Sequence, residues 1–394
     1  MPKNASRISL REGFNVLRTQ TIGERSPTLP SLTGLRWSAA LLVFLYHISV
    51  VQYFGGHSAA LVNWAFDAGN IGVSFFFVLS GFVLAWSTPP TLHAVHFWRK
   101  RFARIYPLHL TTALFALLLA FTLAPGTKPD FAQLASNLTL TQSWVPNVSF
   151  YQSVNPVSWS LACEAFFYFL FPFLIRPLRK LGSHGNSIIV VSCIAFECLM
   201  PAITKHLHPI GGPGFLLYFF PLERLPEFVL GMALARVVIA GRWRGPGVAV
   251  SLAITVFGYF LTYRVPSDYR YEACTAIGIA CLIAAVALAD VRGEPSPWRS
   301  PRAVKLGELS FAFYMIHLLV MRTGEYVFRP HPQEGWLYGS IATVASFTIS
   351  LAAAWILYKY VEKPMRRLIL SAPAPAAEQA NHADQADQPS HVIA

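Results

Sequence analysis

The chain has 394 residues, 54% of them hydrophobic, 14% aromatic and only 13% charged. This balance excludes an ordinary soluble domain of similar length and fits a polytopic membrane protein. The formal charge of +12 invites a nucleic-acid reading, but the placement of the basic residues argues against one.

Residues 1–31 form a basic leader with a short helical pattern around Ile8–Leu17, suited to lying on anionic lipid or to remaining a disordered tail. The first apolar segment begins too late and runs too long for a cleavable signal peptide. From there, roughly ten apolar stretches approach the length needed to cross a core of about 30 Å. They fall near 33–54, 70–88, 105–124, 157–175, 187–205, 215–235, 247–263, 272–289, 306–327 and 337–360, the third and seventh being the weakest. With the N-terminus in the cytoplasm, alternate loops carry the basic residues: Arg99, Lys100, Arg101 and Arg104, then Arg176, Arg179 and Lys180. Arg236, Arg242 and Arg244 follow, then Arg292, Arg299, Arg302 and Lys305. The opposite loops hold only Lys128, Lys205, Arg264, Arg270 and Arg329. This is the positive-inside asymmetry, and it predicts an all-α protein of about ten transmembrane helices with both termini cytoplasmic.

The first span carries Arg36 and His47. Eleven helical steps bring their side chains back within about 20° of each other, separated by a rise of roughly 16 Å. An arginine at the membrane edge thus sits in line with a histidine near mid-bilayer, where an ionisable group signals function by default. After the second span, Arg101 and Arg104 lie three apart on one helical face. In register with Arg36 they would clamp a phosphate, although ordinary positive-inside anchoring explains such a cluster equally. The outward loop 125–156 is rich in Asn, Gln, Ser and aromatics. Near the outer face, Trp144, Tyr151 and Trp159 suit either a sugar-stacking surface or, preferably, an interfacial aromatic belt.

In the fourth span, Glu164 lies about two turns in from the outside. It would orient His47, or form a structural pair with Arg224 or Arg322. The run Glu223-Arg224-Leu225-Pro226-Glu227 favours a structural or gating role. Cys163, Cys193, Cys198, Cys274 and Cys281 read as small core residues, without metal-ligand spacing. The ninth span places Ser310, Tyr314 and His317 on one face, with His317 at a depth similar to His47. Two such histidines suit proton handling. Glu362-Lys363-Pro364 reads as the terminator of the last span. The tail beyond about 371 is polar and expected to be disordered.

Inside the spans remain Arg36, Arg224 and Arg322, six glutamates (Glu164, Glu197, Glu223, Glu227, Glu308 and Glu325) and His47, His109 and His317. Because buried charges need partners, the set is expected to converge on one interior cavity.

In this order, several motifs together resemble the acyltransferase-3 family of integral membrane acyltransferases. They are Arg36-x10-His47, the Ile71-to-Phe82 segment, Arg101-x-x-Arg104 before Tyr106-Pro107, and Trp159-Ser160-Leu161-x-x-Glu164. Ser310-x-x-x-Tyr314-x-x-His317 and Glu362-Lys363-Pro364 complete the set. The resemblance implies a leader at 1–31, a transmembrane acyltransferase domain at 32–367 and a tail at 368–394, in the bacterial cytoplasmic membrane. It implies transfer of an acyl group, usually acetyl, from acyl-CoA to a hydroxyl of an acceptor. Acceptors across the family are mostly carbohydrate, such as exopolysaccharide, O-antigen or glycolipid, with some macrolide antibiotics. Acyl-CoA would be a co-substrate, with no resident cofactor, no metal and no nucleic-acid partner. Arg36, Arg101 and Arg104 would hold the CoA phosphates, and His47 would be the general base. Glu164 or His317 would orient it or stabilise the oxyanion, and an acyl-histidine intermediate stays open. A secondary transporter using the same buried charges is the rival from another class, and a lipid-linked glycosyltransferase or polymerase is the second.

Overall fold

The computed structural model describes residues 27–328, 333–334 and 336–371. The leader pattern at Ile8–Leu17 and the tail from 372 onward lie outside the described residues. The chain is helical almost throughout: α1 Pro30–Val50, α2 Gly56–Phe66, α3 Ile71–Ser87, α4 Ala94–Thr122, α5 Phe131–Leu138 and α6 Trp159–Lys180. There follow α7 Ser183–Leu207, α8 Pro221–Ile239, α9 Val248–Leu261, α10 Ala276–Val291, α11 Pro301–Phe328, α12 Leu337–Leu357 and α13 Lys363–Ser371. Each of the ten predicted stretches falls on a helix, though not every one is long. Among the described residues, seven helical segments are long and apolar enough to cross a membrane. Of the remaining helices on predicted stretches, α9 and α10 are short, with 14 and 16 residues, and α8 carries Glu223, Arg224, Glu227 and Arg236.

Glycines set how closely the helices cross. A Cβ on Gly81 of α3 would run into the Phe228 carbonyl of α8, and one on Gly231 of α8 into the Val78 carbonyl of α3. The two backbones therefore touch, which is how apolar helices gain contact when lipid supplies no hydrophobic drive between them. Gly307 of α11 sits likewise against the Thr33 carbonyl of α1. Pro30 opens α1 at a position that needs no backbone donor. The next free donors, the Ser31 N–H and hydroxyl, go to the Asp290 carboxylate at the end of α10, at 2.8 and 2.7 Å. Phe44, Phe77, Phe167, Phe228 and Phe313 fill the core between these helices.

The segment 125–156 packs into the helical bundle. Asp130 and Gln133 form a reciprocal cap that starts α5. Beyond it Asn137, Gln142, Ser143, Asn155 and Ser158 are all fully buried. Asn155 donates to the Met315 carbonyl, halfway along α11, at 2.9 Å. Consequently α6 starts deep inside the bundle. Glu164 lies one turn beyond Ser160 along this helix.

Pro364 does not stop the last span. A π-turn at Tyr358–Glu362 passes the chain from α12 straight into α13. Proline in the first turn of a helix sacrifices no intrahelical donor, so α13 can start at Lys363.

Candidate active site

Arg36 on α1, Arg101 and Arg104 on α4, and Glu164 on α6 line one cavity of about 130 Å³. Ser80 and Leu84 of α3, Ser160 and Tyr168 of α6, and Ser310 and Tyr314 of α11 complete its walls. Helical spacing explains the convergence: Arg101 and Arg104 share a face of α4, and Ser160, Glu164 and Tyr168 share a face of α6. Glu164 accepts from the Tyr168 hydroxyl at 2.9 Å, and Tyr168 lies 3.0 Å from the Ser80 hydroxyl. The Arg101 guanidinium stands over the rings of Phe97 and Tyr168, at 5.7 and 5.9 Å. Among the described residues no carboxylate lies within 4.0 Å of Arg36, Arg101 or Arg104, and the buried Arg101 Nε has no hydrogen-bond partner. Three cations with unspent donors around one cavity suit a polyanionic ligand.

His47 and His317 form a second group. His317 is fully buried, and its Nδ1 lies 2.8 Å from the Tyr314 carbonyl and 3.1 Å from that of Phe313. Carbonyls only accept, so this nitrogen carries the proton and Nε2 of the neutral ring is left as an acceptor. That Nε2 is 3.0 Å from His47 Nδ1, which also lies 2.9 Å from the Val43 carbonyl. His47 Nδ1 is therefore the donor of the pair, and its Nε2 keeps a free lone pair. The network thus assigns both tautomers. Part of the His47 ring stays accessible, unlike that of His317.

Tyr314 joins the two groups. Its hydroxyl makes hydrogen bonds of 2.9 Å with Ser160, which shares the cavity wall, and 3.1 Å with the Val157 carbonyl. Its ring centroid is 5.9 Å from that of His317. Glu164, by contrast, makes no hydrogen bond to His47, and the partner that orients His47 is His317. Sequence reasoning missed Tyr168 and Ser80. The signal for Tyr168 was its place one turn after Glu164, where side chains meet.

The intramembrane charges do not gather in a single cavity. Arg224 is fully buried between Glu227 at 2.9 Å and Glu272 at 2.7 Å, and it also donates to Ser74 at 2.8 Å. Glu197 and Glu223 are buried as well, with carboxylates that have no hydrogen-bond partner among the described residues. Arg322 lines a separate outer cleft with Gln133, Gln152 and Tyr326. Glu308 is exposed, on Lys305 and Tyr358. His109 is buried on the Asn137 carbonyl at 3.0 Å, where it braces the loop. Arg224 meets one partner on its own helix and the others on segments distant in the chain, so packing between helices decides where each charge is paired.

A larger cleft, about 510 Å³, opens on the other side of Tyr46. Ser49, Gln52, Asp67, Arg270 and Tyr271 line it with Tyr46, whose ring centroid is 5.1 Å from that of His47. Trp159 is 6% exposed and packs on Tyr218 and Phe219, so it belongs to the core and not to an outer stacking surface.

A family model described as "Acyltransferase domain" (Acyl_transf_3) matches residues 29–355. The acyltransferase MdmB of Streptomyces mycarofaciens is 38% identical over 376 residues, covering 89% of this chain and 97% of that protein. A putative peptidoglycan O-acetyltransferase, YrhL, of Bacillus subtilis (strain 168) is 26% identical, covering 86% of this chain and 55% of its own. The O-acetyltransferase OatA of Staphylococcus aureus (strain NCTC 8325 / PS 47) is 28% identical, covering 52% of this chain and 34% of its own. The chain thus spans about half and a third of the last two proteins. No solved structure matches the chain.

Proposed function

Because this chain belongs to the acyltransferase-3 family, matching its domain over residues 29–355, we propose that it is a multi-pass membrane O-acetyltransferase that uses acyl-CoA as donor. Family membership sets aside the transporter and glycosyltransferase readings. In our reading ten helices cross the bacterial cytoplasmic membrane with both ends in the cytoplasm, so that Arg36, Arg101 and Arg104 face the cytoplasmic supply of acyl-CoA. The observation that carries the reading is one line of groups. Three arginines that make no ion pair among the described residues line a cavity together with Tyr314, whose ring lies 5.9 Å from that of His317, the partner of His47.

In this mechanism the arginines bind the CoA phosphates and the thioester extends past Tyr314 towards His47. The acceptor hydroxyl gives its proton to His47 Nε2 as its oxygen attacks the thioester carbonyl. The tetrahedral intermediate collapses, the C–S bond breaks, and the imidazolium returns the proton to the departing thiolate. Products are the ester and free CoA. His317 holds His47 in the required tautomer throughout, as an orienting partner does in a triad.

For the acceptor we favour a carbohydrate, which the printed names of the peptidoglycan and other O-acetyltransferase relatives support. The Tyr46 cleft beside His47 suits it, since tyrosine faces, an acidic and a basic side chain and several amides match a polyhydroxylated ring. The test compares envelope glycans by NMR and mass spectrometry in a host lacking the gene, complemented with wild type or His47→Ala at matched membrane levels. An O-acyl signal that returns only with wild type is the expected result. Restoration by both proteins would remove His47 as base, and no change in either would remove an envelope-glycan acceptor.

A further inference from the structure

The last described helix, α13, has no part in the mechanism above. Its residues divide by chemistry: Lys363, Arg366 and Arg367 share one face at i, i+3 and i+4, while Met365 and Leu368, three apart, share the opposite one. All five side chains are exposed. Lys363 stands over the Tyr358 ring at 5.0 Å, and among the described residues Arg366 and Arg367 make no ion pair. An exposed apolar face opposite a face of cations is the pattern of a helix that lies in a membrane interface. The residues just before α13 place it at that level. Trp355 and Tyr360 are exposed, and the Lys359 ammonium lies 4.7 and 5.0 Å from their ring centroids. Exposed tryptophan and tyrosine beside lysine mark the boundary between hydrocarbon and headgroups.

This helix is also clasped to the start of α4. Arg99 donates through Nε and Nη2 to the Ile369 carbonyl of α13, at 3.0 and 2.6 Å. Arg101 and Arg104, which line the arginine cavity, follow Arg99 on the same helix. We propose that α13 is a docking surface for anionic phospholipid and that its anchorage steadies the arginines of the cavity. Lys363, Arg366 and Arg367 meet headgroup phosphates, Met365 and Leu368 enter the acyl region, and the Arg99 clasp carries the constraint to α4. The occupant is the bilayer, because Arg366 and Arg367 meet no acid among the described residues and the chain enters α13 beside the aromatic boundary. The effect on the donor rests on the acyl-CoA reading above, whereas the lipid contact stands without it.

The experiment places the full-length protein in nanodiscs of phosphatidylcholine, alone or mixed with phosphatidylglycerol. A bimane label on Ser371→Cys, in a background without the native cysteines, reports the depth of α13 through quenching by lipids with brominated tails. Quenching is expected to rise when phosphatidylglycerol is present, and the combined Lys363→Gln, Arg366→Gln and Arg367→Gln variant should lose that rise. Equal quenching of the otherwise unchanged protein in both lipids, or a rise that the combined variant keeps, would overturn the docking surface. The link to the donor is read from CoA affinity in the anionic discs. Met365→Ser with Leu368→Ser keeps every charge, so CoA meets the same surface potential, and both positions are exposed, which spares the fold. Its CoA affinity should fall several-fold, and an unchanged affinity would overturn the link. Protein that binds no CoA in either lipid would overturn the donor reading and the link with it, while the quenching still decides whether α13 docks.

Discussion

His47 has one ring nitrogen committed and the other free, and that asymmetry rests on carbonyls of α11 rather than on any charge. Because Phe313 and Tyr314 accept from His317 Nδ1, the proton order along the pair is set by backbone that substitution cannot easily move. His47→Ala should therefore lower turnover by roughly 10²–10⁴-fold, the usual contribution of a general base, while CoA binding stays intact. His317→Ala should lower it less, since His47 would remain but without its partner. Paired kinetics and CoA binding on purified protein check both. Arg101→Gln should act in the opposite sense, raising KM for acyl-CoA roughly tenfold or more, because a hydrogen bond between charged groups is worth about 1.5–3 kcal/mol. Titration with CoA at increasing salt measures it. The residue types were legible in the sequence, Arg36 and His47 above all, because ionisable groups in apolar stretches stand out. The tautomer was not, since it depends on which carbonyls α11 turns towards the ring.

At the level of helices, two contacts hold the site in place. The α3–α8 crossing depends on Gly81 and Gly231 lying backbone to backbone, with Gly81 next to the Ser80 that bonds Tyr168 of α6. Gly81→Val should cost about 1–3 kcal/mol through overpacking and lower the melting temperature of detergent-solubilised protein. The second contact ties Ser31 at the start of α1, about one and a half turns before Arg36, to Asp290. Asp290→Ala leaves a buried N–H and a buried hydroxyl without an acceptor, at about 1–3 kcal/mol for such a loss. The expected result is reduced thermal stability with CoA affinity also weakened, as Arg36 loses its register. Helix positions were legible because apolar runs of this length have few alternatives. The re-entry of the 125–156 loop was not. Its polar residues read as a surface segment, and only the partners supplied by α11 and α6 let them be buried.

Taken as a whole, the molecule holds an arginine-lined cavity and a separate cleft at Tyr46, and the histidine pair is in ring contact with Tyr314 of the first and Tyr46 of the second. If both ends of the chain lie in the cytoplasm, single cysteines at exposed Arg299 and Arg244 should label from the cytoplasmic side, and one at Arg264 from the other. Membrane-impermeant maleimide on whole and opened cells measures this in a background without the native cysteines. The sequence by itself determined the class of protein, the helical stretches and the family, because each follows from composition, apolar run length and motifs in order along the chain. It also supplied Arg36, Arg101, Arg104, Glu164, His47 and His317, though not Ser80 or Tyr168. Only the tertiary structure decided that Glu164 answers to Tyr168 and not to His47, and that Arg224 is paired within its own cluster. Those outcomes depend on where α6 begins and on which segments pack against each charge. None of these is written in local spacing, because each is settled by packing between helices far apart in the chain.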